Sequence, residues 1–434
     1  RFYKNMKNTT LRHYQTEAVD KALAAYAAGH RGFFCGDKMG LGKTIIALQI
    51  AEKLPKKWNM IGVVCPAFLV PKWRREILNR CNDKRKYKFA LYSYSEISDP
   101  LILAQAKSVN YDLIIFDEVH YGKSYKAART VATLCKQGVH AVADKLLGLS
   151  GTWPPNNIAD CYQWLKASNS PLALHGYEGF AREFAANCHR NNFGLQVSGF
   201  KPNARWMEHF PPVYIGRTID DVTDEIPDGL RVDFPIDIPK TIEKAEVKLF
   251  GRILDDPDLI EKAIAAAPSF DQLTEFRKMQ GLAKVHAVLD YTLEAWEENE
   301  KKLLIFSYHQ EVAEKIAAAL IKKKLPVTLI TGTNTTPDER DAITQKLNSV
   351  DESVIVATID SLKEGVDMTG FSLTLFAEID WRAWALEQAE GRTRRIGQEK
   401  NVRWVYFFFE KGVDKMMRKK IDEKNKLSIA VRGT

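Results

Sequence analysis

No stretch of the sequence reaches the roughly 18–20 uninterrupted apolar residues that a helix needs to cross a bilayer, so a helical membrane protein is excluded. The N-terminal run "RFYKNMKNTTLRHYQ" has no apolar core, which excludes a secretory signal. It also has no initiator Met, which suggests residues missing upstream. Cysteine is scarce: the six (35, 65, 81, 135, 161 and 188) lie far apart with no C-x-x-C pair. In a chain of this size that spacing reads as reduced thiols in an intracellular protein. Cys188-His189 with His175 upstream falls short of the roughly four ligands a metal site needs. There is no low-complexity tail and no short-period repeat.

What is present is globular. The 434 residues are 45% hydrophobic and 27% charged, enough for two or three domains. The net charge of +8 is uneven: residues 1–150 sum to +13 and residues 151–434 to −5. The excess gathers at "PKWRREILNRCNDKRKYK" (71–88). Such a patch suits a polyanion, and it also suits a solvated lysine-rich surface; composition leaves both open.

Two regions share one texture. In the first, "RGFFC", "MIGVVCP", "KFALYSY", "YDLIIFDE" and "KLLGLSGT" are predicted strands, with "KTIIALQIAEKL" and "VPKWRREILNRC" as helices between them. In the second, "KLLIFSY", "PVTLITG", "SVIVATI", "LTLFAEI" and "VRWVYFFFE" are predicted strands. "HQEVAEKIAAALIKKK", "TPDERDAITQKLNS" and "WALEQAEGRTRR" are the helices there. Continuous apolar strands alternating with helices indicate α/β units with parallel sheets covered on both faces. The middle, about 156–300, reads as helical elaboration and linker.

Three stretches carry chemistry. "CGDKMGLGKT" (35–44) nearly spells the phosphate loop G-x-x-x-x-G-K-[ST], but Asp37 stands where the first glycine belongs. It follows a predicted strand and enters a predicted helix, the context such a loop requires. Gly40 and Gly42 let backbone N–H groups approach phosphate, Lys43 would neutralise it and the Thr44 hydroxyl would ligate Mg2+. "YDLIIFDEVH" places the adjacent acids Asp117 and Glu118 at a strand end. "QAEGRTRRIGQ" (388–398) places Arg392 and Arg395 three apart, predicted on one helical face, and guanidinium groups suit phosphate. Taken singly, each also fits a structural turn, a solvent-edge acid pair and an exposed basic helix end.

Together they resemble the superfamily-two helicase-type motors of the Swi/Snf branch, the double-stranded DNA translocases, over nearly the whole chain. "LRHYQTEAV" resembles the adenine-reading Q motif, with Gln15 the matching glutamine. "DKMGLGKT" is similar to that family's "DEMGLGKT", in which Asp is usual at the Asp37 position. "VVCPAFLVPKWRREI" and "YSYSEI" resemble the motifs that follow, "DEVH" the DEAH-like box and "LSGTWPPNN" motif III. "VIVATIDSLKEGVDMTGFSLTLFAEIDW" and "QAEGRTRRIGQ" resemble motifs V and VI. A finer likeness is to the annealing-helicase subgroup.

The resemblance implies two RecA-like lobes: residues 1–238, with helical elaboration from about 156, and residues 239–434, opening on a helical linker over 239–300. It implies ATP and Mg2+ as cofactors, duplex or branched DNA as partner, a monomer with targeting supplied by a separate protein, and no membrane. Gln15, Asp37, Gly40, Gly42, Lys43 and Thr44 would hold the nucleotide. Asp117 would hold the metal, Glu118 would orient water, and Arg392 and Arg395 would act as arginine fingers. His120, Ser150, Thr152 and Gln388 would couple nucleotide to DNA. Lys72, Arg74 and Arg75, with Ser361 and Gly365, would contact DNA. Lys38 in place of Glu, Trp153 in place of Pro, and "WRAW" in place of a W-N-P-like turn depart from the family pattern. No further recognition module fits in this length, and the expected setting is the interior of a prokaryotic or virus-infected cell. The rival expectations are an RNA or DNA helicase of a related group, the motor subunit of a larger DNA-processing or defence complex, and a non-hydrolysing DNA-binding scaffold.

Overall fold

The computed structural model describes residues 11–80, 88–122, 127–151, 158–191, 194–199, 201, 213–219, 221–222, 226–251, 270–362, 366–380, 382–395 and 397–432. The chain divides into two units, Arg1–Thr223 with Val431–Thr434, and Asp224–Ala430.

The first unit is built on β1 (Gly32–Cys35), β2 (Met60–Cys65), β3 (Lys88–Ser93), β4 (Tyr111–Asp117) and β5 (Ala143–Leu149), with a short β8 (Tyr214–Ile215). The sheet order is β3-β2-β4-β5-β1-β8 and every pairing is parallel. Side chains alternate across a strand. Ile61, Val63, Leu113 and Ile115 therefore join one core with Val19, Ile46 and Ile50 of the covering helices. Val64, Ile114 and Phe116 face the other core with Trp164 and Phe180. Both faces are apolar, which is why these strands read as continuous hydrophobic runs. Helices α1 (His13–Ala27), α2 (Lys43–Lys53) and α3 (Val70–Arg80) supply the residues discussed below.

The second unit carries β9 (Gly229–Ile236), β10 (Lys302–Ser307), β11 (Val327–Ile330), β12 (Ser353–Thr358), β13 (Leu373–Phe376) and β14 (Val402–Phe409). Their order is β11-β12-β10-β13-β14-β9, again all parallel. Helices Gln310–Lys322 and Pro337–Asn348 fall where the periodicity predicts them.

Three expectations change. Residues 229–236, expected with the first lobe, form the edge strand of the second sheet, paired with β14 from Gly229↔Val402 to Ile236↔Phe409. Pro235 lacks an N–H and is tolerated there because the strand has a neighbour on one side only. The middle region also holds an antiparallel hairpin, β6 (Asn187–Asn191) with β7 (Gly194–Ser198), whose first strand is mostly exposed and polar and so gives no hydrophobic signal. The helix expected through Arg395 stops at Glu390, with Gly391 as its C-cap.

Candidate nucleotide site

The strand order brings the motifs together. β5 lies between β4 and β1, so the segments leaving β1, β4 and β5 emerge side by side at the carboxyl edge, where open α/β sheets bind ligands.

After β1, Gly42 caps α2 in the left-handed region, at φ 81. A Cβ there would also come within 2.5 Å of Gln15 Nε2, so a side chain at this position would push the Gln15 amide aside. Gly40 is left-handed too, at φ 89. Lys43 Nζ donates to the carbonyls of Asp37 (2.8 Å) and Lys38 (3.3 Å). Thr44 is half-buried in the first turn. Ile45 N and Ile46 N donate to Gly42 O, while the N–H groups of Lys43 and Thr44 precede the first helical bond; with the helix dipole and the ammonium they make an anion-binding end. This donor set fits the phosphates of a nucleotide.

Asp37 is fully buried. Its carboxylate is clasped by Arg217, Nε to Oδ1 at 3.1 Å and Nη2 to Oδ2 at 2.7 Å. That pairing accounts for the acid where a strict loop has glycine: a buried carboxylate requires a paired cation. Sequence reasoning missed Arg217, 180 residues away; the only signal was that Asp37 needed a partner. On α1, Gln15 is buried and its Nε2 donates to Leu41 O (3.1 Å).

Asp117 closes β4. Its Oδ2 accepts from Trp73 Nε1 of α3 at 2.8 Å, its Oδ1 accepts from Glu118 N at 3.0 Å, and its carbonyl accepts from Tyr94 OH at 3.1 Å. Burial first, then the neighbouring Glu118 charge, push the Asp117 carboxyl up to about 6, against the opposing pull of Trp73, Lys43 and Lys72. Glu118 is buried and sits at φ 49, a costly conformation for a residue with a side chain. Its Oε2 lies 3.2 Å from His120 Nδ1 and 3.4 Å from Ser150 Oγ, and His120 Nδ1 is 3.0 Å from Ser150 Oγ. Glu118, His120 and Ser150 are thus one cluster, joining the ends of β4 and β5. Trp73 is the second residue the sequence reading did not single out. Beside this edge lies a cavity of about 500 Å³ lined by Phe68, Tyr94, Tyr121 and Arg129 among others.

Two carboxylates beside a phosphate-binding helix end suit a divalent cation and an attacking water. Lys72 is half-buried, Arg74 exposed and Arg75 half-buried on α3, on either side of the fully buried Trp73.

In the second unit, the arginines of "QAEGRTRRIGQ" are not on a helical face. They lie in a turn after Gly391, and the reason is local: the Arg392 guanidinium donates to Gln388 O (3.1 Å), in the last turn of the helix, and to Val366 O (2.9 Å) of another segment. Arg392 is buried, and Arg395 is ion-paired with Asp367. Among the described residues, Gln388 is buried with no hydrogen-bond partner for either amide atom. Ser361 is buried too, its hydroxyl within reach of Ile330 O and Thr358 O, so its side chain is engaged inside the unit. Thr152, Trp153, Gly365 and the first Trp of "WRAW" lie outside the described residues.

Residues 8–155 match the family model described as "Type III restriction enzyme, res subunit", and residues 283–397 match "Helicase conserved C-terminal domain". The chain is similar to a SWI/SNF-related matrix-associated actin-dependent regulator of chromatin subfamily A-like protein 1 homolog of Caenorhabditis elegans, at 28% identity over 95% of this chain and 60% of the relative. It is also similar to the DNA annealing helicase and endonuclease ZRANB3 of Homo sapiens, at 24% identity over 88% of this chain and 37% of the relative. The chain therefore spans under two thirds of the length of these relatives. Among solved structures, the Hef helicase domain of Pyrococcus furiosus shares the fold, with a TM-score of 0.50 and 16% identity over 94% of this chain and 98% of that one. Two six-stranded parallel sheets, a phosphate loop and a DEVH box in one unit and the R-x-x-R-I-G-Q turn in the other thus accompany a match to the helicase conserved C-terminal domain and a likeness to relatives named as SWI/SNF-related proteins and annealing helicases.

Proposed function

We propose that the chain is a DNA-dependent ATPase that moves along duplex or branched DNA and remodels forks or protein–DNA complexes. The observation that carries this reading is the meeting, on one sheet edge, of the Lys43 loop with the Asp117–Glu118–His120–Ser150 cluster. Lys43, Thr44 and the loop N–H groups bind phosphate, and Gln15 reads the adenine. Asp117 and Thr44 hold Mg2+, which when bound supplies charge neutralisation on the transferring phosphate. Glu118 orients the attacking water, and His120 and Ser150 fix the Glu118 carboxylate. Arg392 and Arg395, held within the second unit by Gln388 O, Val366 O and Asp367, are the proposed phosphate-binding cations of the R-x-x-R-I-G-Q turn. Arg395 must then leave Asp367 to act. Lys72, Arg74 and Arg75 grip DNA phosphates. The relative named as a DNA annealing helicase supports DNA as the partner.

Phosphate release should be measured with duplex, forked and single-stranded DNA and with RNA. We expect stimulation by duplex or forked DNA, and a loss of at least about 100-fold in Lys43→Ala and Glu118→Gln. Stimulation by RNA alone would overturn the DNA assignment. No phosphate release at saturating ATP and DNA would overturn the enzyme itself.

A further inference from the structure

Arg217 does more than neutralise Asp37. Its Nη1 donates to Tyr14 O of α1 at 2.7 Å and lies 3.1 Å from Glu17 Oε2, and its guanidinium stands over the Tyr14 ring at 5.2 Å. Tyr14 OH reaches Leu41 O at 3.3 Å, and Gln15 Nε2 reaches the same carbonyl at 3.1 Å. The contacts close on themselves: Arg217 to Asp37, along the loop to Leu41, across to Tyr14 and Gln15, and back through Tyr14 O to Arg217. The backbone is in register as well. Phe34 N, Gly36 N and Lys38 N donate in turn to Val213 O (2.8 Å), Ile215 O (2.6 Å) and Arg217 O (2.8 Å). The segment that carries Arg217 thus runs beside the loop from β1 to Lys38.

We infer that Arg217 is a positioning residue that locks α1 to the phosphate loop, so that phosphate binding and adenine reading by Gln15 act together. This rests on the ATP reading above. Without the guanidinium, Asp37 is a buried charge without its clasp, and α1 loses the bond at Tyr14 O and is held to the loop through Tyr14 OH and Gln15 Nε2 on Leu41 O. The loop can still find phosphate through Lys43, but the base-reading amide is less firmly fixed against Gly42. The loss therefore falls on base selection and on KM rather than on the chemical step.

The test is the binding of ADP and GDP, each displacing a fluorescent ADP analogue, to the full chain and to Arg217→Gln, Arg217→Lys and Glu17→Gln. A charge-assisted bidentate pair predicts ADP binding about 10–100-fold weaker in Arg217→Gln. GDP binding should change far less, so the preference for adenine collapses. KM for ATP should rise more than kcat falls. Arg217→Lys keeps the charge without the fork and should be intermediate, while Glu17→Gln, at the exposed rim, should match the wild type. If Arg217→Gln fails to fold, Tyr14→Phe removes only the hydroxyl link to Leu41 and should lower the ADP-over-GDP preference in the same direction. An Arg217→Gln or Tyr14→Phe chain with reduced melting temperature but wild-type base preference and KM overturns the inference alone. A wild-type chain that binds neither nucleotide overturns the ATP reading and the inference with it.

Discussion

At the scale of the residue, Asp117, the proposed metal carboxylate, can be probed through a single neighbour. Trp73→Phe keeps a buried ring but removes the indole N–H that Asp117 Oδ2 accepts. The Asp117 carboxyl already stands near 6, raised by burial and by Glu118, and the indole opposes that rise. Removing the indole N–H raises it further. Because the folded value exceeds the unfolded one, the metal-free chain holds its proton more tightly than the unfolded chain does. Its relative stability falls as pH climbs from the ordinary carboxylate range through about 6. Mg2+ binding runs the opposite way, since the metal needs the ionised form. The Mg2+ concentration needed for half-maximal ATPase should rise as pH drops through about 6 in the wild type, and the rise should begin at higher pH in Trp73→Phe. Titrations with Mg2+ between about pH 5.5 and 8 check this. Superimposable profiles would show that the indole only fills space. Asp117 was legible in the sequence because strand and acid pair are contiguous. Trp73 and Arg217 were not, because tertiary folding alone brings them to the acids they serve.

At the scale of the element, the last motif is a cross-braced turn. Gln398 is buried; its Nε2 is within 3.0 Å of both Phe371 O and Thr393 O, and its Oε1 accepts from Glu399 N and Lys400 N. Gly397 before it is at φ 96, open to glycine and strained for most others. The Gly-Gln ending of the motif therefore builds the turn, while Arg392 and Arg395 tie it to Val366 and Asp367. Gln398→Ala leaves buried backbone groups without partners and should cost about 1–3 kcal/mol, read as a lower urea midpoint at unchanged slope. A change within about 0.5 kcal/mol would mean that water replaces the amide. The periodicity of "WALEQAEGRTRR" suggested helix throughout because apolar spacing says nothing of a side chain that takes a last-turn carbonyl. The strands of both sheets were legible because burial on two faces writes them as apolar runs. β8, β9 and the 187–198 hairpin were not, since short or edge strands and an exposed ribbon do not.

At the scale of the whole molecule, the division into two α/β units was legible from the repeated texture. The boundary was not, since residues 229–236 join the second sheet by pairing rather than by pattern. Charge also divides along the chain. Residues 1–150 carry +13, the remainder −5. If the positive part grips DNA through phosphates, each contact releases condensed counterions, and affinity falls as salt rises. The logarithm of the association constant should then decline linearly with the logarithm of salt concentration, by about 0.9 per phosphate neutralised. Lys72, Arg74 and Arg75 share helix α3 with Trp73, which reaches Asp117. Replacing all three with Ala should lower that slope by roughly 2.7 while leaving any difference between DNA sequences unchanged, because phosphate contacts carry no sequence information. Affinities for one duplex between about 50 and 200 mM salt give the slope directly. A triple variant that binds more weakly at an unaltered slope would mean that α3 shapes the surface without touching the backbone of DNA. The phosphate grip would then belong to other cations of the first 150 residues.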